Sequence, residues 1–381
     1  MNDEQLHGHL LNQQGSRHGL NTPALVIDLD ALTRNIAGMA DFARTRGLQL
    51  RPHAKTHKSP DIARRQIEAG AVGICCAKIG EAEVLADHGI ARGLHITSPV
   101  VSLPAIERVV ELNARTEELT CVVDNPINVS ALGAAARGSG KPLSVILDID
   151  PGMARTGVRS TAAAVALFEA IQAEEALRYV GVQFYCGAQQ HIESYEARRQ
   201  AMAERAAFVR GVIDALGTVG GRPRIVTGGG TGSHRIDATL NLFTELQVGS
   251  YVFMDAQYLA CDLTGEDEPS SFETALMIDA RVVSANTPGL VTLDAGLKAF
   301  STDAGNPLVL SGAPAGATYR FMGDEHGALI LPDGATLPLA HVVTLGAPHC
   351  DPTVNLYDTY HVVQGDTLRA LWPVAARGRS R

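Results

Sequence analysis

Between about residue 48 and residue 253, short apolar or β-branched runs alternate with longer stretches of helical period, the pattern of repeated strand–helix units. The candidate strands are LQLRPHA (48–54), VGICCA (72–77), GLHITS (93–98), LTCVVD (119–124), LSVILDID (143–150), YVGVQFYC (179–186), RIVTGG (224–229) and ELQVGSYVF (245–253). Helical stretches such as SPDIARRQIEAG, LPAIERVVELNAR, NPINVSALGAAARG and the long ESYEARRQAMAERAAFVRGVIDALG separate most of them. Eight parallel strands with intervening helices in about 200 residues predict a (β/α)8 TIM-type barrel rather than an open doubly wound sheet.

After about residue 260 the texture changes: TALMIDARVVSA, GLVTLDAG, GALILPD and HVVTLGAP alternate apolar with polar and are broken by Gly, Pro and Asp turns. The expected organisation is α/β, a barrel domain over 22–258 followed by a C-terminal β-rich domain over 259–381, with residues 1–21 packing on the latter. The loop CDLTGEDEPSS (261–271) is the expected junction, ALVIDLD reads as a strand for either domain, and the basic ARGRSR tail is expected to fray.

The 381 residues carry 32 Lys and Arg against 41 Asp and Glu, a formal charge of −9 that opposes an extended phosphate backbone, so nucleic acid is not an expected partner. No apolar run approaches the ~18 residues that span a bilayer, and the polar opening lacks the apolar core of a signal peptide. A cytoplasmic protein without a membrane partner is the expectation. The six cysteines fall mostly inside apolar, strand-like segments and read as reduced thiols.

In a βα barrel the functional groups sit at the C-terminal ends of the strands. The first run ends in RPHAKTHKS, and alternation puts Arg51, His53 and Lys55 on one side. A lysine among other cations has its ammonium disfavoured, which yields an amine able to bind a carbonyl; a solvated basic loop is the other reading. The fifth run ends in DIDPGMARTG, where Arg155 can reach a carboxylate or phenolate oxygen, or simply pair with Asp148 or Asp150. The sixth supplies Tyr185 and, just beyond, His191. The seventh ends in TGGGTGS (227–233), whose free backbone N–H groups suit a phosphate, and the eighth adds a second small-residue turn at Gly249, Ser250 and Tyr251. In GAPHCDPTVNLYD, His349 and Asp351 point the same way on an extended segment and can share Mn²⁺, Mg²⁺ or Zn²⁺, with Cys350 turned to the opposite face. HAKTH has no accompanying glutamate and makes no metalloprotease motif.

A lysine at the first strand, an Arg turn, a phosphate cradle at the last two strands and a following β-domain together look like a pyridoxal-phosphate enzyme of the alanine racemase fold type. More narrowly, RPHAKTHKS, GMARTG, TGGGTGS, GSYVFMD and PHCDPTVNLYD, spread from residue 51 to residue 358, resemble the D-threonine aldolase and D-serine dehydratase group. The resemblance implies that Lys55 attaches the cofactor, Arg155 contacts its phenolic oxygen, and Tyr185 lies against its pyridine ring. It also implies that Gly230, Thr231, Gly249, Ser250 and Tyr251 surround the phosphate, that His349 and Asp351 hold a metal with Mn²⁺ the first choice, and that His191 is the candidate base. Dehydratases of the group resemble one another in a His-x-Cys metal pair and aldolases in His-x-Asp; His349-Cys350-Asp351 matches the aldolases. The implied activity is retro-aldol cleavage of D-threonine and related D-β-hydroxy-α-amino acids to glycine and an aldehyde, by a homodimer with shared sites. A D-serine or D-threo-3-hydroxyaspartate type dehydratase and a non-catalytic cofactor carrier are the alternatives. One departure stands out: the racemases have an arginine near the pyridine nitrogen where this chain has Gln247, with Glu245 two before it.

Overall fold

A computed structural model describes residues 1–265, 272–332 and 334–381. After a first strand, β1 (Ala24–Asp28), the chain lays down eight parallel strands: β2 (Gln49–Leu50), β3 (Ile74–Cys76), β4 (Leu94–Ile96), β5 (Thr120–Val123), β6 (Leu143–Ile149), β7 (Leu177–Phe184), β8 (Ile225–Gly228) and β9 (Glu245–Leu246). Such strands are buried on both faces because helices cover them outside and side chains fill them inside; β5 is buried at every position. The ladder runs from β3 in order to β9 and on to β2. The last seam, between β2 and β3, is closed by Val72 N to Leu50 O (2.8 Å), Cys75 N to Pro52 O (2.8 Å) and a His53–Cys75 bridge. Each predicted run is therefore a stave of one barrel. The helices between follow their pattern: Leu103–Arg115 takes Pro104 in its first turn, where the missing N–H costs nothing, and buries Ile106, Val109, Leu112 and Asn113 on one face.

Two runs are shorter as strands than their alternation predicts. After Val248, whose carbonyl still accepts from His53 N (2.9 Å), the eighth run leaves the ladder for a 3-10 turn at Ser250–Val252. The first run likewise ends early, and Lys55 stands on the 3-10 turn Ala54–Thr56 rather than in register with Arg51 and His53.

Below the mouth the barrel interior is polar and paired. Arg51 makes two bonds to Glu245 (2.8 and 3.0 Å), and His95 sits between Thr120 Oγ1 (2.8 Å) and Gln183 Oε1 (2.9 Å). Burial holds the His95 imidazole down to about 4, so it is neutral there. Gly73 makes room for this layer: a Cβ on it would lie 2.4 Å from Arg51 Nη1 and 2.0 Å from the Gly93 carbonyl oxygen.

The remaining strands form the second sheet: β10 (Leu276–Thr287), β11 (Leu290–Leu293), β12 (Leu308–Ser311), β13 (Thr318–Phe321), β14 (Gly327–Ile330), β15 (Val342–Gly346), β16 (Thr359–Gln364) and β17 (Thr367–Pro373). Of the expected junction, residues 266–271 lie outside the described residues, as does Asp333. β1, at the head of the 22–258 segment, belongs to this sheet and not to the barrel: it pairs antiparallel with β10 (Leu25 with Ile278) and parallel with β16 (Ile27 with Val362).

Residues 1–21 dock on the same sheet through Arg17, which makes two bonds to Asp279 (2.8 and 2.9 Å), and through Ser16 Oγ, which accepts from Leu368 N (2.8 Å). Asp3, His7 and His361 also meet there. Asn21 N–H donates to His7 Nε2 (3.0 Å), and His361 Nδ1 donates to Leu25 O (3.1 Å). His7 Nδ1–H therefore donates to His361 Nε2 (2.9 Å), a neutral relay in which no ring lone pair is left for a metal. The tail is not frayed: Ala376 N bonds Lys58 O (3.0 Å) and Arg108 reaches Arg381 O (3.2 Å), so its main chain is held against the barrel. All six cysteines are free and buried. No described helix is long and apolar enough to cross a membrane.

Candidate active site

The turn after β2 and the short helix Cys350–Val354 after β15 meet at an ion pair, Lys55 Nζ to Asp351 Oδ2 at 2.5 Å. Burial alone would depress the Lys55 ammonium, but the carboxylate opposite overrides it and raises it above its ordinary value. The same partner outweighs burial at Asp351 and holds that carboxyl below the usual range. The expectation of an ammonium disfavoured by neighbouring cations is thus overturned, because an acid 296 positions away in sequence faces it.

The two glycine-containing turns lie side by side. Tyr251 N–H donates to Thr231 Oγ1 (3.0 Å), tying the turn after β8 to the one after β9. The Tyr251 side chain points elsewhere, its hydroxyl accepting from Gln66 (3.1 Å), so only its backbone borders the turns. Close approach explains the glycines. A Cβ on Gly230 would stand 2.4 Å from Gln190 Oε1, and one on Gly249 would stand 2.7 Å from Thr56 Oγ1, a buried hydroxyl with no hydrogen-bond partner among the described residues. Gln190 is fully buried and pins the first turn, donating to Ser233 Oγ (2.8 Å) and Cys186 O (3.2 Å) and accepting from Gly232 N (3.0 Å). No sequence signal marked it. Beneath, Asp237 accepts from Ser233 Oγ (2.6 Å), and burial pushes its carboxyl up to about 7. An acid raised that far carries less negative charge near pH 7 than an ordinary carboxylate.

Arg155 makes neither of the salt bridges that its spacing allowed. Asp150 accepts the N–H groups of Gly152, Met153 and Ala154 (2.8, 2.6 and 2.9 Å) and pairs with Arg159 (3.3 Å), while Asp148 accepts from Thr156 (2.8 Å) and Gln183 (3.0 Å). The Arg155 guanidinium lies instead over the Tyr185 ring, 5.3 Å from its centre. Glu245 is committed to Arg51, and the Gln247 amide donates to Gln183 Oε1 (3.0 Å) and Thr227 Oγ1 (2.9 Å).

His349 caps the helix that carries Asp351, and its Nδ1 lies 2.6 Å from Asp303 Oδ2. The expected extended segment with Cys350 on the opposite face does not form: residues 350–354 are helical, and the buried Cys350 thiol, raised by burial, lies 3.5 Å from Asp351 Oδ1. The His191 ring packs 4.6 Å from the Tyr258 ring. Burial lowers this imidazole, Asp255 pulls it back, and His349 and Lys55 push it down, so His191 shares the field of the Lys55 cluster and is neutral near pH 7. Asp255, buried, accepts from Cys350 N (2.9 Å) and anchors the helix start. Neither Asp255 nor Asp303 was readable from sequence: each is a lone acid in a loop. The site thus combines a lysine ammonium, a guanidinium stacked on a tyrosine with no salt bridge among the described residues, two paired small-residue turns, and an imidazole and carboxylate of metal-ligand type.

Residues 27–257 match the family described as "Alanine racemase, N-terminal domain", and residues 275–363 match the "Putative serine dehydratase domain". Among curated proteins, a 3-hydroxy-D-aspartate aldolase of Paracoccus denitrificans is 39% identical over 94% of this chain and 93% of its own. A D-threonine aldolase of an Arthrobacter species is 38% identical over 95% and 94%. Among solved structures, the D-threonine aldolase of Filomicrobium marinum superposes with a TM-score of 0.91 at 37% identity, covering 95% of this chain and 97% of that one.

Proposed function

This chain belongs to the alanine racemase-like family that holds the D-threonine and 3-hydroxy-D-aspartate aldolases, and on that premise we propose that it is a carbon–carbon lyase cleaving D-threonine and related D-β-hydroxy-α-amino acids to glycine and an aldehyde. The observation that carries the reading is the 2.5 Å contact between Lys55 and Asp351, which joins the attachment lysine and a metal-type acid in one site. A cofactor carrier needs only the first of these.

The residues fit pyridoxal phosphate on three counts: the paired turns in which a Cβ would collide, the unpartnered Thr56 hydroxyl beside Gly249, and the uncommitted Arg155. Gly230, Thr231, Gly249, Ser250 and the Tyr251 backbone would hold the phosphate, Arg155 the phenolic oxygen and Tyr185 the ring, while His349 and Asp351 would hold a divalent ion, with Mn²⁺ the first choice. When bound, the cofactor supplies an electron sink for the charge left on Cα, and the ion supplies a Lewis acid for the β-hydroxyl.

The chain's own groups divide the rest. Lys55 is held as an ammonium while Asp351 faces it, so it would attach a carbonyl only after giving up a proton. His191, neutral near pH 7, accepts the β-hydroxyl proton at its ring nitrogen. Val101 in the loop after β4, and Leu103 and Ile127 in the first turns of the helices after β4 and β5, are apolar and exposed (66%, 69% and 80%) on the side of the barrel that carries the site, which favours a homodimer.

The test is product analysis with pyridoxal phosphate and Mn²⁺ present. From D-threonine the expected products are glycine and acetaldehyde; 2-oxobutanoate with ammonia would make the chain a dehydratase. A higher kcat/KM with 3-hydroxy-D-aspartate would shift the substrate within the same class.

A further inference from the structure

His349 is gripped at both ends by one loop. Its carbonyl oxygen accepts from Thr353 Oγ1 (2.7 Å) and Ser301 Oγ (3.2 Å), and its ring Nδ1 lies 2.6 Å from Oδ2 of Asp303, two residues further along that loop. Ser301 N–H donates in turn to Thr353 Oγ1 (3.1 Å), closing the loop onto the helix start. A carboxylate only accepts, so the proton of this bond sits on Nδ1. A neutral ring with Nδ1–H has its lone pair on Nε2. The carboxylate thus settles the tautomer and turns the ring about its own axis, the two variables that govern whether an imidazole can ligate.

Resting on the metal reading above, we infer that Asp303 is a positioning residue for the divalent ion: it locks His349 as the Nδ1–H tautomer and presents Nε2 to an ion shared with Asp351. An ion pair so exposed contributes little to stability by itself, Asp303 being about half accessible at its side chain. Its effect is therefore read at the metal and not in the fold. Carboxylates bonded to ligating histidines typically change metal affinity by about 10–100-fold when removed.

The test titrates the cofactor-loaded protein with Mn²⁺ alone, reading the free ion by its paramagnetic resonance signal, with visible absorption and thermal melting recorded in parallel. Asp303→Ala and Asp303→Asn are expected to weaken Mn²⁺ binding about 10–100-fold at unchanged absorption and melting, and Asp303→Glu to recover most of the loss. Wild-type affinity in both Ala and Asn variants overturns the inference. So does a loss as complete as that of His349→Ala, which would make Asp303 a ligand in its own right. If His349→Ala and Asp351→Ala themselves bind Mn²⁺ like the wild type, the metal reading falls, and that result is distinct from a failure confined to Asp303.

Discussion

Gly230→Ala isolates the first anion turn. Gly230 does not have a positive φ, so alanine meets no backbone strain there and the whole cost is steric. The new Cβ would lie 2.4 Å from Gln190 Oε1 and 2.7 Å from its amide carbon, so the Gln190 side chain must move. It cannot move cheaply, being fully buried and engaged with Ser233, Cys186 and Gly232. Two to three bonds at roughly 1 kcal/mol each give about 2–3 kcal/mol. Charged to the turn in its binding shape, that is about 30- to 150-fold in affinity at about 1.4 kcal/mol per tenfold. The assay is titration of the cofactor-free protein with pyridoxal phosphate and, separately, with pyridoxal, which lacks the phosphate. The phosphate ester is expected to lose the larger factor. Equal losses for both compounds, or a pyridoxal phosphate affinity within about threefold of wild type, would refute the assignment of this turn to phosphate. Gly138→Ala is the control: it is an exposed position near the end of the helix Pro126–Ser139 with nothing within 4 Å of the added carbon, and should stabilise by about 0.5–1 kcal/mol.

Lys55→Ala should remove the visible absorption of lysine-bound cofactor while Mn²⁺ binding persists, since Asp351 then faces no competing cation; an unchanged spectrum sinks the lysine assignment. Glu245→Gln leaves the buried Arg51 guanidinium uncompensated and should cost about 3–5 kcal/mol in urea unfolding, with an effect under about 1 kcal/mol contradicting the view that this pair holds the β2–β9 seam. The His7–His361 relay sets a pH dependence. Burial lowers both imidazoles, with Asp3 and the Leu25 carbonyl pulling back, so the unfolded chain binds more protons than the folded one. The stabilisation is complete above about pH 6.5 and is lost as pH falls through the folded values. Hydrogen exchange corrected for intrinsic rate should show residues 1–21 opening at acid pH before the barrel does; simultaneous opening would contradict the relay.

The barrel was readable because short β-branched or apolar runs recur eight times between stretches of helical period. Strand length was not readable: ELQVGSYVF alternates like a strand, but the small residues Gly249 and Ser250 let the chain leave the ladder after Val248 to meet Thr231. The β16–β17 hairpin escaped notice because only Gly365 and Asp366 separate its strands, too brief a break to stand out beside longer turns. At the site, residue identities were legible and charge states were not. A lysine among histidines and lysines in sequence is, in space, a lysine against Asp351. Gln190, Asp255 and Asp303 act through partners 43, 95 and 46 positions away, and no local pattern records such distances.

β1 has its partners at β10 and β16, strands that leave the ribosome some 250 and 330 residues after it. Throughout synthesis of the barrel this apolar strand therefore has both hydrogen-bonding edges unclaimed, and the sheet that carries Asp351 closes only when the last strands arrive. No single cut in the chain separates the barrel from an intact sheet. The barrel is an insertion within the other unit, and the first and last segments of the polypeptide are the clasp that fixes Asp351 opposite Lys55.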